Sequence, residues 1–266
     1  MAQSRKDKQG VYLIGGSLAF MTLLAFTAVY FKPAPPCPAQ PTRKTVLLVD
    51  QTEAMTTQTF AEIRARALAW ITDSVRTGEI VAVYAVKGNS ASDLQPVFVQ
   101  CKLRWDVNRL FENAEAAKKN YRVGFTDPLI KALQIAPVES KRSPIAQALI
   151  DLSLSDALRA DTVSLLVFSD LLENDRGFSV YTCSNPAGVV AQFRRARVGA
   201  QERPVFQNTR IQLHAIPRPG ISSNQLRCRD ALWIWFFGDA QGTGASLDLQ
   251  YLPGGPATNG NARADR

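Results

Sequence analysis

The chain has 266 residues, of which 46% are hydrophobic and 20% are charged. This composition is typical of a folded protein and excludes wholesale disorder. The net charge of +8 and the isoelectric point near 9.5 favour contact with anionic lipid, nucleic acid or an acidic protein, and they do not choose among these classes.

The N-terminal part divides into a basic tail, residues 1–10, and an apolar run, residues 11–31, without a charged side chain. A helix of that length, at ~1.5 Å per residue, spans a ~30 Å hydrocarbon core. We therefore predict an uncleaved transmembrane helix that contacts the lipid bilayer, with a cleaved signal peptide as the alternative. The basic residues that precede the apolar run lie closer to it than the basic residues that follow it, and this favours a cytoplasmic N-terminus. In a bacterial inner membrane the remaining chain would then be periplasmic or extracytoplasmic.

Residues 32–43 are rich in proline and predict an extended spacer. Residues 254–266 are rich in Gly, Asn and Ala and predict a disordered tail. Between these segments we predict a single α/β domain at residues 44–253.

Within that domain, short apolar runs alternate with helical patterns. Strands are predicted at residues 44–50, 80–86, 97–103, 161–168, 210–216 and 245–252. Helices are predicted at residues 57–75, 108–119, 127–135, 185–197 and 224–238, and in a further segment that Ser143 would cap, with Pro144 at its first position. The middle of residues 108–135 is expected to be irregular, and residues 97–103 are expected at a sheet edge. Such alternation indicates a three-layer, doubly wound and mostly parallel sheet with helices on both faces.

Two of the predicted strands end in an acid. The first runs into Asp50, with Thr52 two residues later, and another runs into Asp170. Ligands bind beyond the carboxyl ends of the strands in such sheets. If the two strands are neighbours, both acids meet Thr52 and Ser143 at one edge, and this set of hard oxygen ligands suits Mg²⁺. The alternative is that the acids only cap helices or accept loop hydrogen bonds.

This arrangement resembles the von Willebrand factor A-type domain and its metal-ion-dependent adhesion site, whose first motif is Asp-x-Ser-x-Ser. The corresponding stretch here is "DQTEA", in which Asp50 matches, Thr52 replaces the first serine, and Ala54 offers no oxygen. Glu53 is a candidate to supply a carboxylate in place of the missing serine. Asp170 in "FSD" matches the family's last acid.

The family also contributes a hydroxyl from a later loop. Ser143 in "RSPIAQAL" matches it, with Thr126 in "GFTDPL" as a rival. The resemblance implies a protein-binding module with a degenerate site, in which Asp50, Thr52, Ser143 and Asp170 hold a weakly bound Mg²⁺.

The remaining candidate residues favour binding over catalysis. His214 is the only histidine and falls in a predicted strand, so we expect a structural residue with its hydrogen bonds satisfied or its ring half-buried. No nucleophile motif or phosphate-binding loop is present in the sequence. Among the cysteines we expect at least one disulfide in an exported domain, with Cys183 and Cys228 as the favoured pair and Cys101 buried in its strand.

The sequence therefore predicts a non-enzymatic, membrane-anchored adaptor or assembly component that binds a protein partner in a bacterial envelope complex. One alternative is a Mg²⁺-dependent phosphoester hydrolase that uses Asp50 and Asp170. Another is a basic nucleic-acid-binding domain. Nucleic acid is disfavoured because the basic stretch "FRRARVGAQER" lacks interleaved aromatic residues.

Overall fold

A computed structural model describes Cys37 and residues 41–52, 54–88, 94–105, 113–134, 140–238 and 246–252. The predicted transmembrane run at residues 11–31 and the predicted tail at residues 254–266 lie outside these residues. Among the described residues, no helix is both long enough and apolar enough to cross a bilayer.

A mostly parallel sheet of six strands forms the centre of the described structure. The chain contributes β1 (Arg43–Asp50), β2 (Ile80–Val86), β3 (Pro96–Cys101), β4 (Thr162–Ser169), the short hairpin β5 (Asn174–Asp175) and β6 (Phe178–Ser179), β7 (Thr209–Ala215) and β8 (Ser246–Tyr251). The order in the main sheet is β3-β2-β1-β4-β7-β8, and only β3 is antiparallel to its neighbour. The predicted mixed α/β class, the edge position of β3 and the central pairing of β1 with β4 are confirmed.

The helices are α1 (Thr57–Asp73), α2 (Ala114–Tyr121), α3 (Asp127–Leu133), α4 (Ile145–Leu154), α5 (Val189–Ala196) and α6 (Ser223–Phe237). The expected irregular middle between α2 and α3 is wrong. A π-helical segment, Arg122–Thr126, joins them, and its Phe125 ring is fully buried. The helix therefore continues through residues 122–126, and this keeps the Phe125 side chain in the core.

Helices cover both faces of the sheet. Along β1, Val46 and Leu48 belong to a core under α4, α5 and α6, while Leu47 and Val49 belong to a core under α1 and α3. This alternation follows from the two-residue period of a strand. The central strands therefore have apolar side chains on both faces, as the sequence predicts.

The predicted helix cap at Ser143 is wrong. Helix α4 begins at Ile145 after Pro144, which supplies no side-chain cap, and Ser143 instead pairs with Asn174 in an isolated bridge. The N–H of Ala146 in the first turn donates to the buried Glu173 carboxylate at 2.8 Å. A long-range acceptor has thus replaced the local one that the sequence suggested.

Two disulfides cross-link the described residues. The expected Cys183–Cys228 bridge is present, and it joins the segment after β6 to α6 across a sequence separation of 45. A second bridge, Cys37–Cys101, was not expected and ties the end of edge strand β3 to the predicted spacer. Cys101 is buried in its strand as predicted. Because it is the last residue of that strand, Cys37 can still bond to it.

Candidate functional site at the carboxyl edge of the sheet

The Asp50 carboxylate is the centre of a hydrogen-bonded cluster at the end of β1. Its Oδ1 accepts from the Thr52 N–H at 3.1 Å and from Thr52 Oγ1 at 2.7 Å. Its Oδ2 accepts from Ser169 Oγ at 2.8 Å and from Ser143 Oγ at 3.2 Å. Asp50 and all three of these residues are buried. Three separate chain segments therefore meet on one carboxylate.

Asp170 lies beside this cluster, one residue past the end of β4. Its Oδ1 accepts from the Leu172 N–H at 2.9 Å, and its Oδ2 lies 3.4 Å from Nε of Arg218. Burial raises the pKa of Asp170 to about 7, and the nearby negative charge of Asp50 raises it as well. The Arg218 side chain is 27% exposed, so the guanidinium extends from the buried acid toward solvent.

The backbone after Asp170 is held in an unusual conformation. Leu171 has a positive φ of 60°, which is uncommon for a residue other than glycine. Its N–H donates to Ser169 Oγ at 2.8 Å, and its carbonyl accepts from Trp233 Nε1 at 2.7 Å. These two bonds, from β4 and from α6, fix the turn that positions the Asp170 carboxylate.

The segment that carries Ser143 is positioned by backbone contacts with two loops. The Ser140 N–H donates to the Thr52 carbonyl at 2.9 Å, and Ser143 exchanges two backbone hydrogen bonds with Asn174. Gly88, with φ of 72°, lies against the same segment, and a Cβ there would collide with the Ser140 side chain and the Arg142 carbonyl. Glycine is therefore required where β2 ends so that the Ser143 segment can approach.

The four predicted site residues converge, with differences from the family pattern. Asp50, Thr52 and Ser143 are in direct contact, and Asp170 is close enough for Asp50 to affect its pKa. The rival Thr126 bonds instead to Tyr121. Ala54, at the last position of the first motif, is exposed, and the suggested substitute Glu53 lies outside the described residues.

Two residues of the site were not predicted. Ser169 is the last residue of β4 and donates to Asp50, and its position directly before Asp170 was an available signal. Arg218 follows β7 and has no motif around it. Because β7 pairs with β4 in parallel, however, the segment after β7 leaves the sheet at the same edge. Knowledge of the strand order would have been needed to find it.

Glu173 is a second buried acid in the turn that carries Asp170, and among the described residues no Lys or Arg contacts its carboxylate. Burial raises its pKa to about 8, although the Ala146 N–H bond favours the ionised form. The carboxyl therefore carries a proton over much of the neutral range and loses it in alkaline solution.

We expect Glu173→Gln to become more stable relative to the wild type as the pH rises. The pKa is raised from 4.5 in the unfolded chain to about 8 in the folded chain, so the folded state binds more protons between these values and its stability falls as pH rises. Glutamine keeps an oxygen for the Ala146 N–H and cannot ionise. Between pH 5 and pH 9 the difference in free energy of unfolding should move by about 4 kcal/mol in favour of the variant. Urea denaturation of both proteins measures this difference, and the other titrating groups cancel from it. A difference that is independent of pH would contradict the prediction.

The cluster fits a divalent cation only in part. Two carboxylates and several hydroxyls are ligands of the kind that Mg²⁺ prefers. Both Asp50 oxygens, however, already accept two hydrogen bonds each, and Arg218 already places a positive charge at Asp170. Within the described residues, no group of three or more His, Cys, Asp or Glu side chains could hold a metal.

Comparison with known proteins gives a limited result. No family model matches the chain, and no curated protein matches it. Among solved structures, the open conformation of the pilus adhesin SpaC from Lactobacillus rhamnosus GG is 9% identical with a TM-score of 0.39, covering 79% of this chain and 31% of that one. The human COPII-coat protein Sec24c is 11% identical with a TM-score of 0.33, covering 84% of this chain and 31% of that one. The chain thus spans less than a third of the length of either protein, and at these scores neither likeness bears on what it binds.

Proposed function

We propose that this chain is a membrane-anchored protein-binding module, similar in type to von Willebrand factor A domains, that serves as an adaptor or assembly component of a bacterial envelope complex. The observation that carries the proposal is the partly exposed Arg218 guanidinium held over buried Asp170 at the carboxyl edge of the sheet. A partner carboxylate could pair with this guanidinium in the place where the family site offers a metal ion.

The charge around the site favours an acidic partner. Lys87, directly after β2, and Lys141, in the segment that contacts Thr52, are exposed and accompany Arg218 on this side of the sheet. Cationic side chains on one surface speed the association of an anionic partner and select it over neutral ones. The partner is therefore expected to present Asp or Glu side chains.

Catalysis is disfavoured because the acids are already engaged. A general base must be able to take a proton from a substrate or a water molecule. Asp50 accepts four internal hydrogen bonds, and Asp170 is bonded to the Leu172 N–H and paired with Arg218. The hydrolase alternative would require at least one of these contacts to open.

The basic stretch that raised the nucleic-acid alternative is largely bonded within the protein. Arg194 pairs with Glu202 at 2.8 Å, and Arg197 donates to Gln147 at 2.6 Å. Arg203 lies over the Trp235 ring at 4.9 Å. Side chains used in this way are poorly placed to neutralise a series of phosphates, which is the main source of nucleic-acid affinity.

The two disulfides support an extracytoplasmic location for the domain. Disulfides persist in oxidising compartments such as the periplasm and are rare in the cytosol. Cys37–Cys101 and Cys183–Cys228 pair all four cysteines of the chain. This agrees with the orientation expected from the basic N-terminal tail.

The partner proposal is tested by crosslinking in intact membranes, with the full-length chain as bait. Arg218→Gln removes the charge at the site, whereas Arg159→Gln, a largely exposed arginine before β4 at the opposite edge, is the matched control. An envelope protein captured by the wild type and by Arg159→Gln should be captured at least ~10-fold less by Arg218→Gln. Equal capture by all three would contradict the proposed surface. Turnover of a generic phosphoester that Asp50→Ala abolishes would favour the hydrolase instead.

We further propose that Mg²⁺ binds weakly through Asp50, Thr52, Ser143 and Asp170, and that Arg218 competes with it. In the wild type the guanidinium already compensates the acids, so 5–10 mM Mg²⁺, on the order of a weak site's Kd, should leave Tm nearly unchanged. In Arg218→Gln the loss of the competing charge should lower the Kd about 10-fold, so the same ion should raise Tm by about 3 °C. Thermal unfolding with Mg²⁺ or EDTA measures both effects, and Arg218→Gln/Asp50→Asn should lose the increment. If no divalent ion stabilises Arg218→Gln, the metal proposal is wrong while the protein-binding proposal stands.

A further inference from the structure

The main sheet ends in two edge strands, and they differ in how well they are protected against pairing with a further strand. Edge strand β3 begins with Pro96, and its pairing with β2 shifts register between Val83 and Tyr84. Cys37 lies beside its end, where Sγ accepts from the Cys101 N–H at 3.2 Å. Proline, a bulge and a covering segment are devices that keep a sheet edge from adding strands. The pairing of β8 with β7 is regular, β8 contains no proline, and no described strand lies on its other side.

The outer edge of β8 presents backbone hydrogen-bonding groups. On the inner edge, the Leu252 N–H donates to the Ala215 carbonyl of β7 at 3.0 Å. Backbone groups alternate between the two sides of a strand, so the N–H and C=O groups of Leu249 and Tyr251 point away from β7. Among the described residues, no strand pairs with these groups.

Apolar side chains are exposed along the same edge. Leu249 is 45% exposed and Tyr251 is 57% exposed. They are in register with Leu213 and Ala215 of β7, which belong to the core under α4, α5 and α6, so both lie on that face of the sheet. Two exposed apolar side chains on one face of an unprotected edge strand are typical of a site that adds another strand.

The opposite face of β8 carries two polar side chains, Asp248 and Gln250. The Asp248 Oδ2 accepts from Gln250 Nε2 at 2.9 Å, and Gln250 Oε1 accepts from Arg66 Nη1 at 3.1 Å. A glutamine amide has two N–H groups, so Gln250 can donate to a second carboxylate as well.

The neighbour of Gln250 in β7 is His214, which is buried and contributes nothing to this edge. Its ring is 4% exposed and stacks on Phe168 with ring centroids 4.5 Å apart. Neither ring nitrogen has a hydrogen-bond partner among the described residues. The expectation that His214 would have satisfied hydrogen bonds or a half-buried ring is therefore wrong.

The β8 strand is complementary to itself in an antiparallel arrangement. With Leu249 opposite Leu249 of a second copy, Asp248 of each copy faces Gln250 of the other. The two Leu249 residues then exchange backbone hydrogen bonds, because their N–H and C=O groups point outward. Apolar side chains meet on one face, and a carboxylate meets an amide donor on the other. A pair centred on Asp248 would place two carboxylates opposite each other, and a pair centred on Gln250 would place Asp248 opposite Leu252.

We propose that this chain forms a two-fold symmetric dimer in which the β8 strands of two copies pair antiparallel, with Leu249 at the centre. The two sheets then become one continuous sheet, and their carboxyl edges lie at opposite ends of it. No residue of the Asp50 cluster belongs to β8, so the dimer does not depend on the proposed protein-binding surface.

Capture of one tagged copy by another tests the proposal. Full-length chains with two different tags are co-expressed and extracted in mild detergent, and wild-type copies should capture each other. Leu249→Lys in both copies places like charges opposite each other and should reduce capture at least ~10-fold, as should Leu249→Glu in both. Val99→Lys, at a side chain that is 51% exposed on the other edge strand, is the matched control and should capture like the wild type.

A mixed pair separates the interface from folding. One copy with Leu249→Lys and one with Leu249→Glu should restore capture, because the proposed register places position 249 opposite itself. Restored capture also shows that both variants fold. Failure of wild-type copies to capture each other would overturn the proposal. Equal capture by the wild type and by Leu249→Lys in both copies would show that the copies associate elsewhere and would also overturn it.

Oxidation of Leu249→Cys tests the register with a smaller change. The Cα atoms of a hydrogen-bonded antiparallel pair are ~5.5 Å apart, which is within the range of a disulfide. The four native cysteines are bonded to one another, so the introduced thiol is available to react. Mild oxidation of full-length Leu249→Cys should give a covalent dimer, whereas Gln250→Cys should not, since its two copies would lie beyond ~7 Å. Equal dimer yields, or a disulfide from Leu249→Cys to a different protein in place of the dimer, would contradict the proposed pairing.

Discussion

Loss of the Cys183–Cys228 disulfide is expected to lower the free energy of unfolding by about 4 kcal/mol. The bridge closes a loop with a sequence separation of 45, and closure of a loop of this length restricts the unfolded chain by about that amount in the chain-entropy account. Cys228 is fully buried, so the double replacement should use alanine, since a serine hydroxyl there would need a partner. Urea denaturation of Cys183→Ala/Cys228→Ala against the oxidised wild type measures the effect.

The Cys37–Cys101 bridge is the control that shows which part of the fold each disulfide stabilises. Cys37→Ala/Cys101→Ala should cost a similar free energy, because its separation of 64 differs little on a logarithmic scale. Only the Cys183–Cys228 variant should also disturb the carboxyl edge, since α6 holds the Asp170 turn through Trp233 and Leu171. Hydrogen exchange of the Leu171 and Leu172 amides distinguishes the two variants. A cost below about 1 kcal/mol for both would show that the bridges do not constrain the unfolded chain.

Asp50→Ala is expected to cost about 3 kcal/mol, because it removes the shared acceptor of Thr52, Ser143 and Ser169. Each buried hydroxyl or N–H left without a partner costs about 1–3 kcal/mol, and relief of the repulsion with Asp170 offsets part of the sum. Asp50→Asn should cost only about 1 kcal/mol, since its amide keeps one oxygen and its NH₂ can donate to a hydroxyl.

Both variants should be compared at pH 8 with Asp161→Ala, which replaces an exposed aspartate before β4. That control should lie within about 0.5 kcal/mol of the wild type. If Asp50→Ala is as mild as the control, the cluster does not stabilise the fold. Asp50 and Asp170 would then be available to bind a ligand, and this outcome would favour the hydrolase alternative.

The alternation of apolar runs and helices was enough to predict the class of fold from the sequence. Strand composition depends on the local environment, and a strand buried on both faces is apolar along its whole length. For this reason the β1 and β4 runs, and the acids that follow them, were recognised correctly. Their convergence followed from the rule that parallel strands end at one edge. The predicted membrane helix and the proposed partner remain predictions.

Contacts between distant segments could not be predicted in the same way. Ser143 donates to Asp50 across 93 residues and Ser169 does so across 119. The local sequence pattern around each residue gives no sign of such a contact. Ser143 before Pro144 has the sequence of a helix cap, yet Glu173 supplies the acceptor near the helix start and leaves Ser143 to Asp50.

By itself, the sequence determined the six strands of the main sheet, most of the helices and the placement of Asp50 and Asp170 at the carboxyl edge, because these depend on hydrophobic period and turn residues. Only the tertiary structure decided that Arg218 pairs with Asp170 and that neither ring nitrogen of buried His214 has a hydrogen-bond partner among the described residues. Both outcomes depend on which side chains from remote strands become neighbours, and on how burial then changes the free energy of a charge or an unmet hydrogen bond.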